Sequence, residues 1–256
     1  MAEADAAGAL NAPQPGNGGS IRWLMISLAF LATVINYLDR QTLSVIAPVL
    51  RKQFHMTDVD YSRVVFAFLL AYTISNAVSG GFIDRVGTKA GYAICITWWS
   101  IASMLHALAR GPVSLGVFRF LLGIGEAGNW PAGVKVATEW FPVRERALAS
   151  GIFNSGSSIG AMLAPPVVAW IVLQFGWPAS FVLVGTTGFL WVAVWLALYR
   201  SPPGAPRKPD QPAPLWRLAR TPWMMRFTLS KVFSDPAWYF YIFWFPQYLS
   251  SARGFD

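Results

Sequence analysis

Long apolar runs recur along this chain at about 21–49, 61–83, 90–109, 112–138, 146–175, 178–199 and 223–249. Each reaches the ~20 residues that a helix needs to cross ~30 Å of hydrocarbon. A water-soluble core would not need seven of them, so the pattern predicts an all-α polytopic membrane protein. The gaps between the first six runs are short, which makes neighbouring helices antiparallel. The gap at 201–222, SPPGAPRKPDQPAPLWRLARTP, differs. Its prolines cannot sustain a helix and it has little to bury. Its LWRLAR end suits the inner membrane surface, with Trp and Leu down and Arg towards lipid phosphates. The expected organisation is a disordered cytoplasmic tail over 1–20, a six-helix bundle over 21–200, a basic Pro-rich cytoplasmic linker over 201–222, and a seventh membrane helix over 223–256.

Composition agrees with this reading: charged residues are 12% of the chain, against ~25% in a soluble domain. The net charge of +8 would suit nucleic acid, but its distribution does not. With a cytoplasmic N-terminus, the inner segments hold Arg22, Arg85, Lys89, Arg144, Arg146, Arg200, Arg207, Lys208, Arg217, Arg220 and Arg226. The outer segments hold the smaller set Arg51, Lys52, Arg63, Arg110 and Arg253. That asymmetry is the positive-inside pattern. The basicity therefore reports topology, with the lipid bilayer as partner and no nucleic acid. The start of the chain carries Glu3 and Asp5 and no Lys or Arg, unlike a signal peptide. Cys95 stands alone in the third run, so no disulfide is expected. No metal-ligand cluster, nucleophile–base arrangement or phosphate loop stands out, so neither a cofactor nor an enzyme is expected.

Two of the apolar runs carry charges where charge is expensive: Asp39–Arg40 in INYLDRQTL, and Arg119 with Glu126 in FRFLLGIGEAG. Each costs roughly 2.5–3.5 kcal/mol at mid-bilayer unless it pairs or faces water. At ~1.5 Å per residue, Asp39 lies ~16 Å, Arg119 ~10 Å, Glu126 ~21 Å and Tyr72 ~18 Å below the outer helix ends. Asn154 to Ser158 lie ~14–20 Å from the inner side by the same arithmetic. Four helices thus converge near the midplane, where secondary transporters hold substrate and coupling ion. Arg119, Gly123 and Glu126 share one helix face, as do Asn36, Tyr37 and Arg40, with Asp39 turned ~100° away. The structural alternative is an ion pair that locks the bundle. For Tyr37, Tyr72, Asn154, Ser157 and Ser158 the alternative is helix–helix hydrogen bonding. Gly151, Gly156 and Gly160 read as close-packing positions. Lys135 reads as a snorkelling side chain, His55 and His106 as loop or interface residues near the outer boundary, and Lys231 with Asp235 as an i,i+4 pair. Trp238, Tyr239 and Tyr241 fit either a cavity wall or an aromatic belt.

The second-to-third connection, GGFIDRVGTKAG, resembles the major facilitator loop motif GxxxDRxGxR[KR] at Gly80, Asp84, Arg85, Gly87 and Lys89, with Thr88 departing. Its glycines permit a tight turn, and its charges suit an internal gate rather than an ordinary positive-inside turn. EWFPVRERA places Glu139, Arg144, Glu145 and Arg146 on the same side as partners of that gate. The stretch FRFLLGIGEAGNWPAGVKVATEWFPVRERALASGIFNSGSSIGAMLAPP resembles bacterial hexuronate transporters of the anion:cation symporter family, within the major facilitator superfamily. NYLDR at 36–40 and the closing DPAWYFYIFWFPQYLSSARGFD are similar to that family too.

The resemblance implies the major facilitator fold, with the N-terminal bundle and the first helix of a second one. It implies proton-coupled, alternating-access import of a sugar-acid anion, glucuronate or galacturonate, across the bacterial cytoplasmic (inner) membrane, with protons as the only cofactor. Under it, Asp39 and Glu126 bind protons, and Arg119 holds the charge of Glu126 until a proton replaces it. Arg40 meets the substrate carboxylate through its bidentate fork. Tyr37 and Tyr72 contact substrate hydroxyls, and Asn154, Ser157 and Ser158 line the pocket. A related branch carries a larger amide in place of Ser157. The alternatives are a relative for aldonate or glucarate, and a half-length binding or dimerising module, because five helices of a twelve-helix protein would lie beyond Asp256.

Overall fold

The computed structural model describes residues 19–200, 202 and 220–253. Residues 1–18 of the tail expected over 1–20, most of the linker and all of LWRLAR but Arg220 lie outside the described residues, while Gly19 and Ser20 already belong to the first helix. The helices are α1 (Gly19–Phe54), α2 (Asp58–Val86), α3 (Thr88–Leu105), α4 (Pro112–Glu126), α5 (Asn129–Trp140), α6 (Arg146–Phe175), α7 (Trp177–Leu198), α8 (Pro222–Phe243) and α9 (Phe245–Arg253). The sequence marks several of their ends. Arg51 and Lys52 sit in the last turn of α1, where cations complement the helix dipole. Thr57 and Asp60 form a reciprocal capping box at the start of α2. Gly87, at φ +92°, makes the turn between α2 and α3 with a backbone that a side chain would strain.

Among the described residues, five helical segments are long and apolar enough to cross a membrane: Gly19–Phe54, Asp58–Val86, Thr88–Leu108, Val143–Phe175 and Trp177–Leu198. The expected fourth and seventh spans are each interrupted. In the fourth, Ala127 and Gly128 separate α4 from α5, although both residues keep right-handed helical dihedrals. The physical cause is Pro131, which has no N–H to give the Ala127 carbonyl one turn back. Ser79 of α2 fills that vacancy, donating its hydroxyl to the Ala127 carbonyl at 3.1 Å. Ser79→Ala is therefore expected to orphan a buried carbonyl and destabilise the bundle by about 1–2 kcal/mol, read as a lower melting temperature in detergent.

The seventh span breaks at Trp244, between α8 and α9. Pro246 likewise leaves the Ile242 carbonyl without its helical donor. The Ser44 hydroxyl of α1 donates to that carbonyl at 2.8 Å, and the Tyr61 hydroxyl of α2 donates to the Phe243 carbonyl at 2.9 Å. Arg226, Lys231 and Asp235 place three charges inside the 22 residues of α8. The expected Lys231–Asp235 pair forms at 3.3 Å.

Among the first six crossings, α1 packs chiefly on α6, α2 on α4, and α3 on α7. Counting α4–α5 as the fourth crossing, exchange of crossings one to three with four to six maps these pairings onto themselves. Small residues permit the approach. A Cβ on Gly160 would lie 2.5 Å from the Val34 carbonyl oxygen, one on Gly156 2.6 Å from that of Phe30, and one on Gly123 2.7 Å from that of Phe68. Gly151 departs from the expectation, since a Cβ there meets open space. Tyr92 of α3 donates to Asn129 of α5 at 2.7 Å, and Asn129 donates to Thr33 of α1 at 3.2 Å. This polar thread ties three helices together without charge.

Candidate functional site

Arg40 and Arg119 are among the largest fully buried side chains, and Asp39 and Glu126 are buried with them. Arg40 reaches from α1 to the end of α4, where its Nε and Nη2 donate to Glu126 Oε2 at 2.9 and 2.8 Å. Its Nη2 also donates to Asn36 Oδ1 at 3.4 Å, one turn earlier on α1. Aromatic rings surround the guanidinium: Tyr72 at 4.7 Å, Tyr37 at 4.9 Å and Phe68 at 5.1 Å from ring centre to Cζ. Such cation–π contacts strengthen when they are desolvated. The site is thus a cation in an aromatic cage with one carboxylate as counter-charge.

The pairing differs from the sequence expectation. Arg119 shares a helix face with Glu126, yet Arg40 from the neighbouring helix holds that carboxylate. Arg119 instead donates Nη1 to the Arg40 carbonyl at 3.3 Å, leaving its Nε and Nη2 without hydrogen-bond partners. Glu126 Oε1 is likewise unpartnered. Among the described residues Asp39 makes no ion pair; its Oδ1 accepts a hydrogen bond from Ser103 of α3, and its Oδ2 has no partner there. Ser103 and Phe68 were not singled out in the sequence. A lone serine or phenylalanine in an apolar helix gives no signal of its own.

Tyr37 is buried and packs edge-on against Trp238 of α8, with ring centres 6.5 Å apart. Tyr72 is half-buried and stacks on Phe68 at 5.6 Å. On α6, Ser157 is buried and donates its hydroxyl back to the Asn154 carbonyl at 2.7 Å, while the Asn154 and Ser158 side chains are exposed. The structure therefore gathers Asn36, Tyr37, Arg40, Phe68, Tyr72 and Glu126 around one guanidinium. It does not hydrogen-bond Asn154, Ser157 or Ser158 to that group.

At the opposite helix ends, the expected gate residues take definite partners. Asp84 pairs with Lys135 of α5 at 2.6 Å, so Lys135 is a salt-bridge partner rather than a snorkelling side chain. Glu145 pairs with Arg22 at the start of α1 at 2.9 Å. Arg146 donates to the Phe141 and Thr138 carbonyls at 3.1 and 3.0 Å, closing the end of α5. Glu139 accepts from Thr88 and from Tyr199 at 2.6 and 2.7 Å. A Cβ on Gly80 would meet Pro131 at 4.0 Å, an ordinary contact, Arg85 is exposed, and the Lys89 carbonyl accepts from Trp195 at 2.9 Å. His106 also departs from expectation. It is fully buried and stacked on Phe181 at 4.7 Å, because a short 3-10 turn over His106–Leu108 continues α3 into the bundle.

Known proteins share this sequence and this fold. The galacturonate transporter of Dickeya chrysanthemi is 33% identical over 92% of this chain and 74% of its own length. The hexuronate transporter of Escherichia coli K12 is 33% identical over 92% of this chain and 59% of its own length. The D-galactonate transporter of Escherichia coli O6:H1 is 30% identical over 96% of this chain and 62% of its own. The chain thus spans between 59% and 74% of the length of these relatives. In structure it resembles a bacterial homologue of the human lysosomal transporter Spinster, solved inward-facing and unoccupied. The TM-score is 0.76 at 22% identity, over 93% of this chain and 57% of that one. The model of the Major Facilitator Superfamily matches residues 29–256. An all-helical fold with paired buried charges, matched along nearly its whole length, places the chain in the major facilitator superfamily, a family of membrane transporters and not of enzymes.

Proposed function

We propose that the protein is a proton-coupled symporter that imports a sugar-acid anion, glucuronate or galacturonate, across the bacterial inner membrane by alternating access, with its N-terminus in the cytoplasm. The observation that carries this reading is the buried Arg40–Glu126 pair inside its aromatic cage. A substrate carboxylate needs a cation, and here Glu126 occupies it. Protonating Glu126 removes its charge, and Arg40 then attracts the incoming anion through its fork. Proton and anion are in this way linked through one guanidinium. Charge balance points the same way. Asp39, Glu126, Arg40 and Arg119 sum to zero, so occluding a monocarboxylate without net charge in hydrocarbon takes at least one added proton. Release of the proton inside re-forms the Arg40–Glu126 pair and expels the anion. Asp39 is the second proton-binding carboxyl, and Arg119 supplies the balancing charge beside it. Tyr37 and Tyr72 offer hydroxyls to the sugar, and Asn154, Ser157 and Ser158 extend the pocket along α6.

The test is uptake by the full-length protein in proteoliposomes. An inward proton gradient is expected to drive accumulation of labelled glucuronate or galacturonate. Glu126→Gln is expected to abolish that accumulation while substrate exchange across the membrane persists, because a permanently neutral residue 126 no longer reports the proton. Unchanged proton-driven uptake in this variant would overturn the coupling assignment. A second reading, import of a related anion, is favoured by the match to a D-galactonate transporter. It predicts that galactonate or glucarate competes more strongly than glucuronate for the same site.

A further inference from the structure

Asp39 is the buried carboxyl that the Arg40–Glu126 linkage does not use. Arg40, its neighbour in sequence, points to α4, and Asp39 points to α3, where Ser103 donates to its Oδ1. Ser103 is itself buried, with 1% of its surface exposed. Many serines and threonines in these helices turn their hydroxyls back onto a carbonyl three or four residues earlier, as Thr42, Ser157, Ser180 and Thr186 do. Ser103 forgoes that local bond and spends its proton on a carboxylate of another helix. The remaining oxygen, Oδ2, is buried and has no partner among the described residues. The charged groups acting on Asp39 from the neighbouring helix are Glu126 and Arg119, and neither touches it.

We infer that Ser103 is a positioning residue for proton exchange at Asp39: it fixes the rotamer of the carboxyl and stabilises its ionised form, so that the proton taken up outside is given up inside. This deepens the proton-coupled reading above and rests on it. When the proton leaves Asp39 for the aqueous side, the charge remaining on Oδ1 is met by the Ser103 O–H. A hydrogen bond to the charged form favours ionisation, and without it Asp39 holds its proton to higher pH. The one unpartnered oxygen is the atom left to exchange that proton.

In the full-length protein, Ser103→Ala is expected to move the midpoint of proton-driven uptake to higher pH by about one unit. Ser103→Thr, which keeps the hydroxyl, is expected to restore the wild-type midpoint. Infrared titration of the protonated-carboxyl band that Asp39→Asn removes should show the same displacement without depending on turnover. An unmoved midpoint and an unmoved band in Ser103→Ala would overturn the inference and leave the proton-coupled reading standing. Wild-type uptake indifferent to the proton gradient would overturn both.

Discussion

Replacing Arg40 with methionine is expected to cost the bundle about 3–5 kcal/mol and to abolish uptake. The size of the effect comes from what is left behind. Glu126 is fully buried, it accepts two hydrogen bonds from Arg40, and among the described residues its second oxygen lacks a partner. Methionine fills much of the arginine volume but leaves that carboxylate without its hydrogen-bonded cation, with Arg119 acting on it only from a distance. Breaking one side of a buried ion pair is far more damaging than removing both. The double variant Arg40→Met/Glu126→Gln is therefore expected to regain most of the lost stability and none of the transport. Arg40→Lys tests the geometry separately. It keeps the charge but loses the planar fork that gives two bonds to Glu126 and lies among the rings of Tyr37, Phe68 and Tyr72. It is expected to fold and to transport poorly. Melting temperatures in detergent, read beside uptake in proteoliposomes, separate these outcomes. A single Arg40→Met variant as stable as the wild type would show that the pair contributes nothing to the fold.

Hydropathy made the long helices legible because the bilayer requires ~20 apolar residues per crossing, and no soluble core explains so many. It also exposed Asp39, Arg40, Arg119 and Glu126, since charge inside such runs is costly. Partner choice was not legible. Spacing on a single helix puts Arg119 beside Glu126, whereas the observed partner, Arg40, lies 86 positions away and is brought in by the rotation and packing of two helices. No helical periodicity encodes that rotation. Lys135 reads as a snorkelling side chain for the same reason: its partner Asp84 is on a different helix. The interruptions in the fourth and seventh spans did have a sequence signal. Pro131 and Pro246 sit inside apolar runs, and each removes a helical donor. What the sequence could not supply was the side chain that takes the freed carbonyl, since Ser79, Ser44 and Tyr61 look like ordinary polar interruptions of apolar helices. Ser103 was silent for a related reason, because a serine in a membrane helix usually satisfies itself.

Gly160→Val is expected to push α6 away from α1, lower stability by about 1–3 kcal/mol and sharply reduce uptake. A Cβ at Gly160 would lie 2.5 Å from the Val34 carbonyl oxygen and 2.8 Å from the Tyr37 Cβ. The first of these is backbone, so no change of rotamer on either helix relieves it; the helices must move apart. Membrane helices associate through close packing rather than through hydrophobic exclusion of water, so separation loses the contact energy outright. The second contact carries the disturbance to the site. Tyr37 forms one wall of the cage around Arg40 and packs against Trp238, so displacing it unsettles the cation that pairs with Glu126. Gly156→Val, whose Cβ would lie 2.6 Å from the Phe30 carbonyl oxygen, is expected to destabilise to a similar degree with a weaker effect on uptake, because it presses on α1 one turn farther from Tyr37. Gly151 provides the internal comparison. Its Cβ would meet open space, and glycine is the poorer helix former by about 1 kcal/mol relative to alanine, so Gly151→Ala is expected to leave transport intact and to raise the melting temperature slightly. Equal melting temperatures for Gly160→Val and the wild type would mean that the α1–α6 contact is looser than its geometry implies, and that the site does not depend on it.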